Sequence, residues 1–256
     1  MAVQTQEMTF WDHLEDLRKS LFRVAGTLVS VTVALFFFKD FLFDDFVLAP
    51  SKGDFFLYSL IGTVLYLSLV NLEVAAQFMI YMKVTFVCAL ICTLPYLIYE
   101  LWRFIAPALY DNEKRAVRGA FTFASVLFYL GVAVGYCVIF SFLLNFFVNY
   151  QVSAEIPNTF SLSSYISLFT STVLTFGLVF EFPTVIAVLS GLGIVTKEML
   201  KEYRRHAICA VVVLAALITP SGDPFSLLTV TVPLYLLYEF SILICRKESV
   251  EQLTEE

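Results

Sequence analysis

The chain has 256 residues, 59 % of them apolar and only 15 % charged, with 27 Phe and a formal net charge of −6. A soluble domain carries charge on nearer a quarter of its residues, so this composition excludes a water-soluble globular protein and predicts an integral membrane protein of one helical domain. The acidic balance does not oppose a cationic partner and does not specify one, and no nucleic-acid partner is expected.

Residues 1–20 predict an amphipathic helix at the membrane surface. Phe10, Leu14, Leu17 and Leu21 recur at helical spacing, with Asp12, Glu15, Asp16 and Lys19 elsewhere on the wheel. The segment holds acids, a His and a Trp, and no small-residue cleavage site follows it, so it is not a secretory signal.

A bundle of six spans is expected over 21–245. Apolar runs fall at roughly 21–38, 80–100, 118–142, 166–190, 205–219 and 225–245. Runs of about 18 residues or more cross a hydrocarbon core of roughly 30 Å. The fifth is short, and Pro220-Ser221-Gly222-Asp223-Pro224 turns the chain into the sixth. Residues 246–256 form a polar tail.

The basic residues set the orientation. With both termini cytoplasmic, thirteen Lys and Arg lie inside and three, Lys39, Lys52 and Lys83, lie outside. The apolar run 55–70 could be read as a seventh span, but that would reverse the ratio to four inside and twelve outside. It is expected instead as a helix within an extracytoplasmic loop of about 51–79, lying on the membrane or capping the bundle.

Chemistry-bearing residues are few. Glu181 stands midway along the fourth run in Phe180-Glu181-Phe182-Pro183, where a charged acid costs about 2.5–3.5 kcal/mol on insertion scales. Pro183 predicts a kink that frees backbone carbonyls beside it. Glu181 is then either a functional polar site or a protonated packing residue. Lys83 is expected to snorkel outward and Glu100, ending the second run, to meet solvent. Asp223 is either a special residue or simple turn chemistry.

Catalysis is not expected. The two His, His13 and His206, have no companion acid and Ser, and there is no HExxH, no Gly-rich phosphate loop and no Cys/His ligand cluster. No cofactor and no metal is predicted, and the five cysteines, all in apolar runs, read as small hydrophobes. A proton-coupled solute transporter with Glu181 as its relay is an alternative, although no pair of similar halves supports it.

The remaining signal lies on the cytoplasmic face. Glu15 and Asp16 in the surface helix and Glu113 in the aromatic-rich 101–115 connector bring carboxylates together, a chemistry suited to arginine guanidinium. They could equally pair with Arg18, Lys114 and Arg115.

Three stretches resemble the TatC family, the polytopic component of the twin-arginine protein translocase. They are His13-Leu14-Glu15-Asp16-Leu17-Arg18; Trp102-Arg103-Phe104-Ile105-Ala106-Pro107-Ala108-Leu109-Tyr110 with Glu113-Lys114-Arg115; and Phe176-Gly177 through Phe180-Glu181-Phe182-Pro183. Leu94-Pro95, Thr219-Pro220 with Asp223, and Leu237-Tyr238-Glu239 add to the resemblance, which covers about residues 9–245.

The resemblance implies an inner-membrane receptor for twin-arginine signal peptides, the assembly core for small single-span TatA/TatB-type subunits. It would form oligomeric receptor complexes that export folded proteins on the proton-motive force. It implies that Glu113 and the acid before Leu17-Arg18 pair with the two arginines and that Phe104 shapes the site. Glu181 would be the polar residue inside the bundle, with Pro50 and Asp223 as supporting loop positions. The family acid before Leu-Arg is usually Glu; here Asp16 takes that place with Glu15 beside it.

Overall fold

The computed structural model describes residues 10–53, 55–61, 65, 67–105, 111–153, 155–156, 158–219 and 222–245. Its first helix, α1 (Phe10–Phe36), is continuous. The expected surface helix and first span are one element, because no Pro or pair of Gly interrupts the periodicity between them. Twenty-seven residues of helix extend about 40 Å, about 10 Å more than the hydrocarbon core, so the amphipathic first turns project beyond it.

A π-helical turn (Phe41–Val47), a 3₁₀ turn (Ala49–Ser51) and a short helix α2 (Phe56–Ile61) follow. Of the described residues in the apolar run 55–70, six are helical. Beyond them, strand β1 (Leu69–Val70) pairs in parallel with β2 (Phe160–Ser161). The long helices are α3 (Ala76–Ile105), α4 (Asp111–Val134) continuing through a π turn into α5 (Ser141–Asn149), α6 (Leu162–Val179) running on into α7 (Phe182–Gly191), and α10 (Pro224–Ile244). The short α8 (Lys197–Glu202) and α9 (Arg204–Ile218) complete the chain.

Among the described residues, five segments are long and apolar enough to cross a membrane: Leu14–Phe36, Ala76–Phe104, Phe121–Asn149, Leu162–Gly191 and Pro224–Ile244. The fifth predicted span corresponds to α9, whose 15 residues extend only about 22 Å, so it falls short of a full crossing by itself. Asp223 caps α10, its Oδ1 accepting the Ser226 N–H at 2.8 Å, and Gly222 takes a left-handed φ of +60°, which glycine adopts without steric cost.

The helices pack in a chain of neighbours. α1 lies on α3, α3 on α4 and α6, α4 on α6 and α7, α7 on α10, and α10 on α9. Close approach of α4 to α6 depends on glycine. A Cβ at Gly131 would stand 2.5 Å from the Phe176 carbonyl oxygen, one at Gly135 2.8 Å from Phe176 Cβ, and one at Gly177 2.8 Å from the Phe128 ring. Lipid tails are as apolar as Leu, so fit between small residues and large rings, rather than water exclusion, brings these helices together.

One end of the bundle is closed by the irregular segment 41–70, called here the strand end. Backbone groups there cannot rely on water, and three phenols satisfy them. Tyr136 donates to the Phe46 carbonyl at 2.7 Å, Tyr165 to Val47 at 2.7 Å and Tyr58 to Pro50 at 2.9 Å. Burial pushes the Tyr58 phenol up to about 12, so it stays a neutral donor. Pro50 is itself buried in this cap, and Phe46 stacks on Tyr136 with ring centroids 4.7 Å apart.

Gly131→Ala is expected to destabilise the purified protein by about 1–3 kcal/mol, because backbone must move to admit the methyl. Gly26→Ala, with nothing within 4 Å of the added carbon, should leave the thermal midpoint level or slightly raised. Equal losses in a melting experiment would contradict the close-approach account. Tyr165→Phe should cost about 1–3 kcal/mol through the orphaned Val47 carbonyl, and limited proteolysis should show earlier cleavage within 41–70.

Candidate functional site

The opposite end of the bundle gathers the predicted cytoplasmic residues. α1 and α3 run antiparallel, tied near one end by Arg23 to Glu100 and near the other by the Tyr81 hydroxyl donating to the Phe36 carbonyl. The start of α1 and the last turn of α3, where Phe104 is half-buried, therefore lie at the same end of the bundle. Trp102 packs on Phe121 of α4 with ring centroids 5.2 Å apart, which holds the start of α4 at the same end. Glu113 stands in the first turn of α4, and its side chain lies outside the described residues, as do residues 106–110 of the connector.

The two candidate acids on α1 differ in their surroundings. Glu15 is exposed and pairs with Lys19 at 3.0 Å, one turn along the helix. Asp16 is exposed and has no ion-pair partner among the described residues. At about 100° per residue, Asp16 is seven positions from Arg23 and so lies on nearly the same face, the one turned toward α3; Glu15 is about 80° away from that face. Arg18 is exposed on the same helix.

Glu100 departs from expectation. The sequence places it at a span end in solvent, yet it is only 3 % exposed. Its carboxylate accepts two bonds from the Arg23 guanidinium, Nε at 3.1 Å and Nη2 at 2.6 Å, and a third from the Tyr96 hydroxyl at 3.1 Å. Arg103 Nη1 lies 3.9 Å away. A bidentate pair of this kind is among the stronger polar contacts available to a carboxylate. The four-residue spacing of Tyr96, Glu100 and Phe104 was a usable signal, since it sets all three on one face of α3.

Glu181 lies at the junction of α6 and α7, where Phe180 and Glu181 cap the two helices. Pro183 has no N–H for the Val179 carbonyl, so the ladder is interrupted there, as a proline-induced break requires. Glu181 Oε1 and Thr184 Oγ1, one turn apart, are buried and have no hydrogen-bond partner among the described residues. Pro50 and Asp223 are far from both acidic groups, in the strand-end cap and the α10 cap.

A second polar tie secures the last helices. Tyr238 donates to the Leu200 carbonyl at 2.5 Å, and Glu239 accepts from Arg204 at 2.7 Å and from Tyr235 at 2.9 Å. The described part of the Leu237-Tyr238-Glu239 motif thus fixes α10 to α8 and α9. The cysteines are free thiols, and no group of three or more His, Cys, Asp or Glu with metal-binding geometry occurs among the described residues.

Comparison with known proteins agrees with the fold and with the motifs. The family profile described as Sec-independent protein translocase protein (TatC) matches residues 12–233. A Sec-independent protein translocase protein TatC of Blattabacterium sp. subsp. Periplaneta americana is 37 % identical over 95 % of this chain and 97 % of its own length. The one of Helicobacter pylori is 34 % identical over 91 % of this chain and 86 % of its own. A crystal structure of the twin arginine translocase receptor TatC superposes with a TM-score of 0.74 at 29 % identity, covering 91 % of this chain and 97 % of that one. A second, in DDM, gives 0.76 at 28 % identity, covering 91 % and 99 %. This multi-pass membrane protein belongs to the TatC family of Sec-independent protein translocase proteins.

Proposed function

We propose that this protein is the signal-peptide receptor and assembly core of a twin-arginine translocase, binding its ligand at the end of the bundle formed by α1, α3 and the start of α4. The reading is supported by the placement at one end of the bundle of Asp16 near the start of α1, Phe104 in the last turn of α3 and Glu113 in the first turn of α4. Carboxylates at a membrane surface beside an aromatic ring suit a guanidinium pair, since each arginine can bind one carboxylate two-fold and lie flat on a ring. The alignment of Asp16 with the α3-facing side of α1 favours it over Glu15, which Lys19 already neutralises.

The receptor end faces the cytoplasm, and the strand end faces outward. Among described positions the basic residues support this: Arg18, Lys19, Arg23, Arg103, Lys197, Lys201, Arg204 and Arg205 lie toward one end, against Lys39, Lys52 and Lys83 in the half toward the other. The whole chain acts as one integral domain in the inner membrane. Transport draws on the proton-motive force, and single-span TatA/TatB-type subunits assemble on the bundle, where Glu181 supplies a polar contact inside the bilayer. A proton-coupled solute transporter is the second reading, favoured by the same unpartnered Glu181 oxygen; membership of the TatC family weighs against it.

In titrations of detergent-purified protein with a labelled twin-arginine signal peptide, Asp16→Asn and Glu113→Gln are each expected to weaken binding about tenfold, the loss of a charge-assisted bond. Glu15→Gln should have a smaller effect. A Lys-Lys peptide that binds as well as the Arg-Arg peptide would reduce the face to a general cation surface and contradict the reading. Glu181→Ala is expected to leave peptide affinity intact while lowering both co-purification of the single-span subunits and export; equal loss of peptide binding in a folded sample would contradict that division.

A further inference from the structure

α1 is a peripheral helix whose position needs an explanation. None of the residues in its apolar window is buried, and its packing partner is α3. In lipid, packing fit and interhelical hydrogen bonds together hold a helix in place. On this peripheral helix the polar contacts supply the directional part of that hold. At the strand end the only tie of this kind among the described residues is Tyr81 to the Phe36 carbonyl. At the receptor end it is Arg23 to Glu100.

The second tie has the properties of a register lock. Glu100 is 3 % exposed and Arg23 39 %, so the acid is fixed in the helix interface and the arginine reaches in from the edge. The planar guanidinium engages both carboxylate oxygens, with Nε on Oε1 and Nη2 on Oε2. Two parallel bonds define direction as well as distance, which a single ammonium contact would not. Arg23 is itself steadied by Ser20, whose hydroxyl accepts from Nη2 at 2.9 Å, and Glu100 by Tyr96. Sliding α1 by one turn relative to α3 would bring Thr27 or Lys19 opposite Glu100 and break both bonds.

The lock sits directly beneath the receptor face. Asp16, Ser20 and Arg23 follow one another along one side of α1, and Tyr96, Glu100 and Phe104 along one side of α3. Asp16 lies about 10 Å beyond Arg23 and Phe104 about 6 Å beyond Glu100, in the same direction along the bundle. A buried ion pair is seldom more stabilising than a well-packed apolar pair, and its better-attested use is to specify register. We propose that Arg23 and Glu100 are positioning residues for signal-peptide recognition: the pair sets the height and rotation of α1 so that Asp16 stands about one turn beyond Phe104, toward the start of α4. This rests on the receptor reading above.

The test measures position and binding separately. Spin labels at Leu14 and Gly119, both exposed, report the distance from the start of α1 to α4 in full-length protein whose five native cysteines are replaced by Ala. Without peptide, Glu100→Gln and Arg23→Gln should each broaden or shift the distance distribution, and both should weaken twin-arginine peptide binding about tenfold. The exchanged double variant Arg23→Glu with Glu100→Arg should restore a narrow distribution and most of the affinity, which a general packing defect would not allow. Tyr96→Phe, a mild change, should give a smaller broadening and serves if the charge variants fail to fold.

An unaltered distance distribution in the single variants or in Tyr96→Phe would overturn the proposal. So would tighter peptide binding by Arg23→Gln, which would make Arg23 a competitor for Glu100 rather than a support. If the distances respond as expected but the unaltered protein binds no twin-arginine peptide, the receptor reading fails and the register lock stands.

Discussion

Arg23 and Glu100 form the directional contact between α1 and α3, adding a bidentate ion pair to the packing of the two helices. A carboxylate 3 % exposed at the end of a membrane helix is costly unless its charge is met at short range. Here it is met by two bonds from one guanidinium and one from a phenol. The cost of burying the acid is thereby turned into a geometric constraint. The pair fixes the height and rotation of α1 against α3, and Trp102 packed on Phe121 ties α3 to α4.

The rest of the fold answers the same demand in neutral form. Where the chain leaves helical geometry at the strand end, Tyr58, Tyr136 and Tyr165 cover carbonyls that lipid could not satisfy. Where α4 must approach α6 closely, Gly131, Gly135 and Gly177 remove the side chain that would keep them apart. The break between α6 and α7 is different, since Glu181 Oε1 and Thr184 Oγ1 stay buried with no partner among the described residues. Every other described irregularity in the bundle discussed above is compensated locally.

Much of this was legible in the sequence. The apolar runs at 80–100, 166–190, 205–219 and 225–245 fall within or nearly upon α3, α6 with α7, α9 and α10, because hydropathy is a direct statement about solvent. The candidate site residues were named from motifs, and the antiparallel pairing of α1 with α3 puts Asp16 and Phe104 at the same end of the bundle. What could not be read was tertiary. Glu100 looked like a terminal solvated acid because its partner lies 77 residues away on another helix. The continuity of the surface helix with the first span was missed because a polar-to-apolar change marks a change of solvent, not an end of the helix. The capping role of residues 55–70 depends on Tyr58 and on strand pairing with 160–161, which no local pattern reveals.

The central claim is that ligand arginines dock among α1, α3 and the start of α4, and a contact map tests it most directly. A twin-arginine signal peptide carrying a photo-crosslinker beside its arginine pair would be irradiated with the full-length protein in membranes and the adducts located by mass spectrometry. The account predicts adducts within residues 14–23 and 100–118, lost when the arginines are replaced by lysine. Adducts concentrated in residues 41–70 at the strand end, or spread evenly over the bundle, would contradict it.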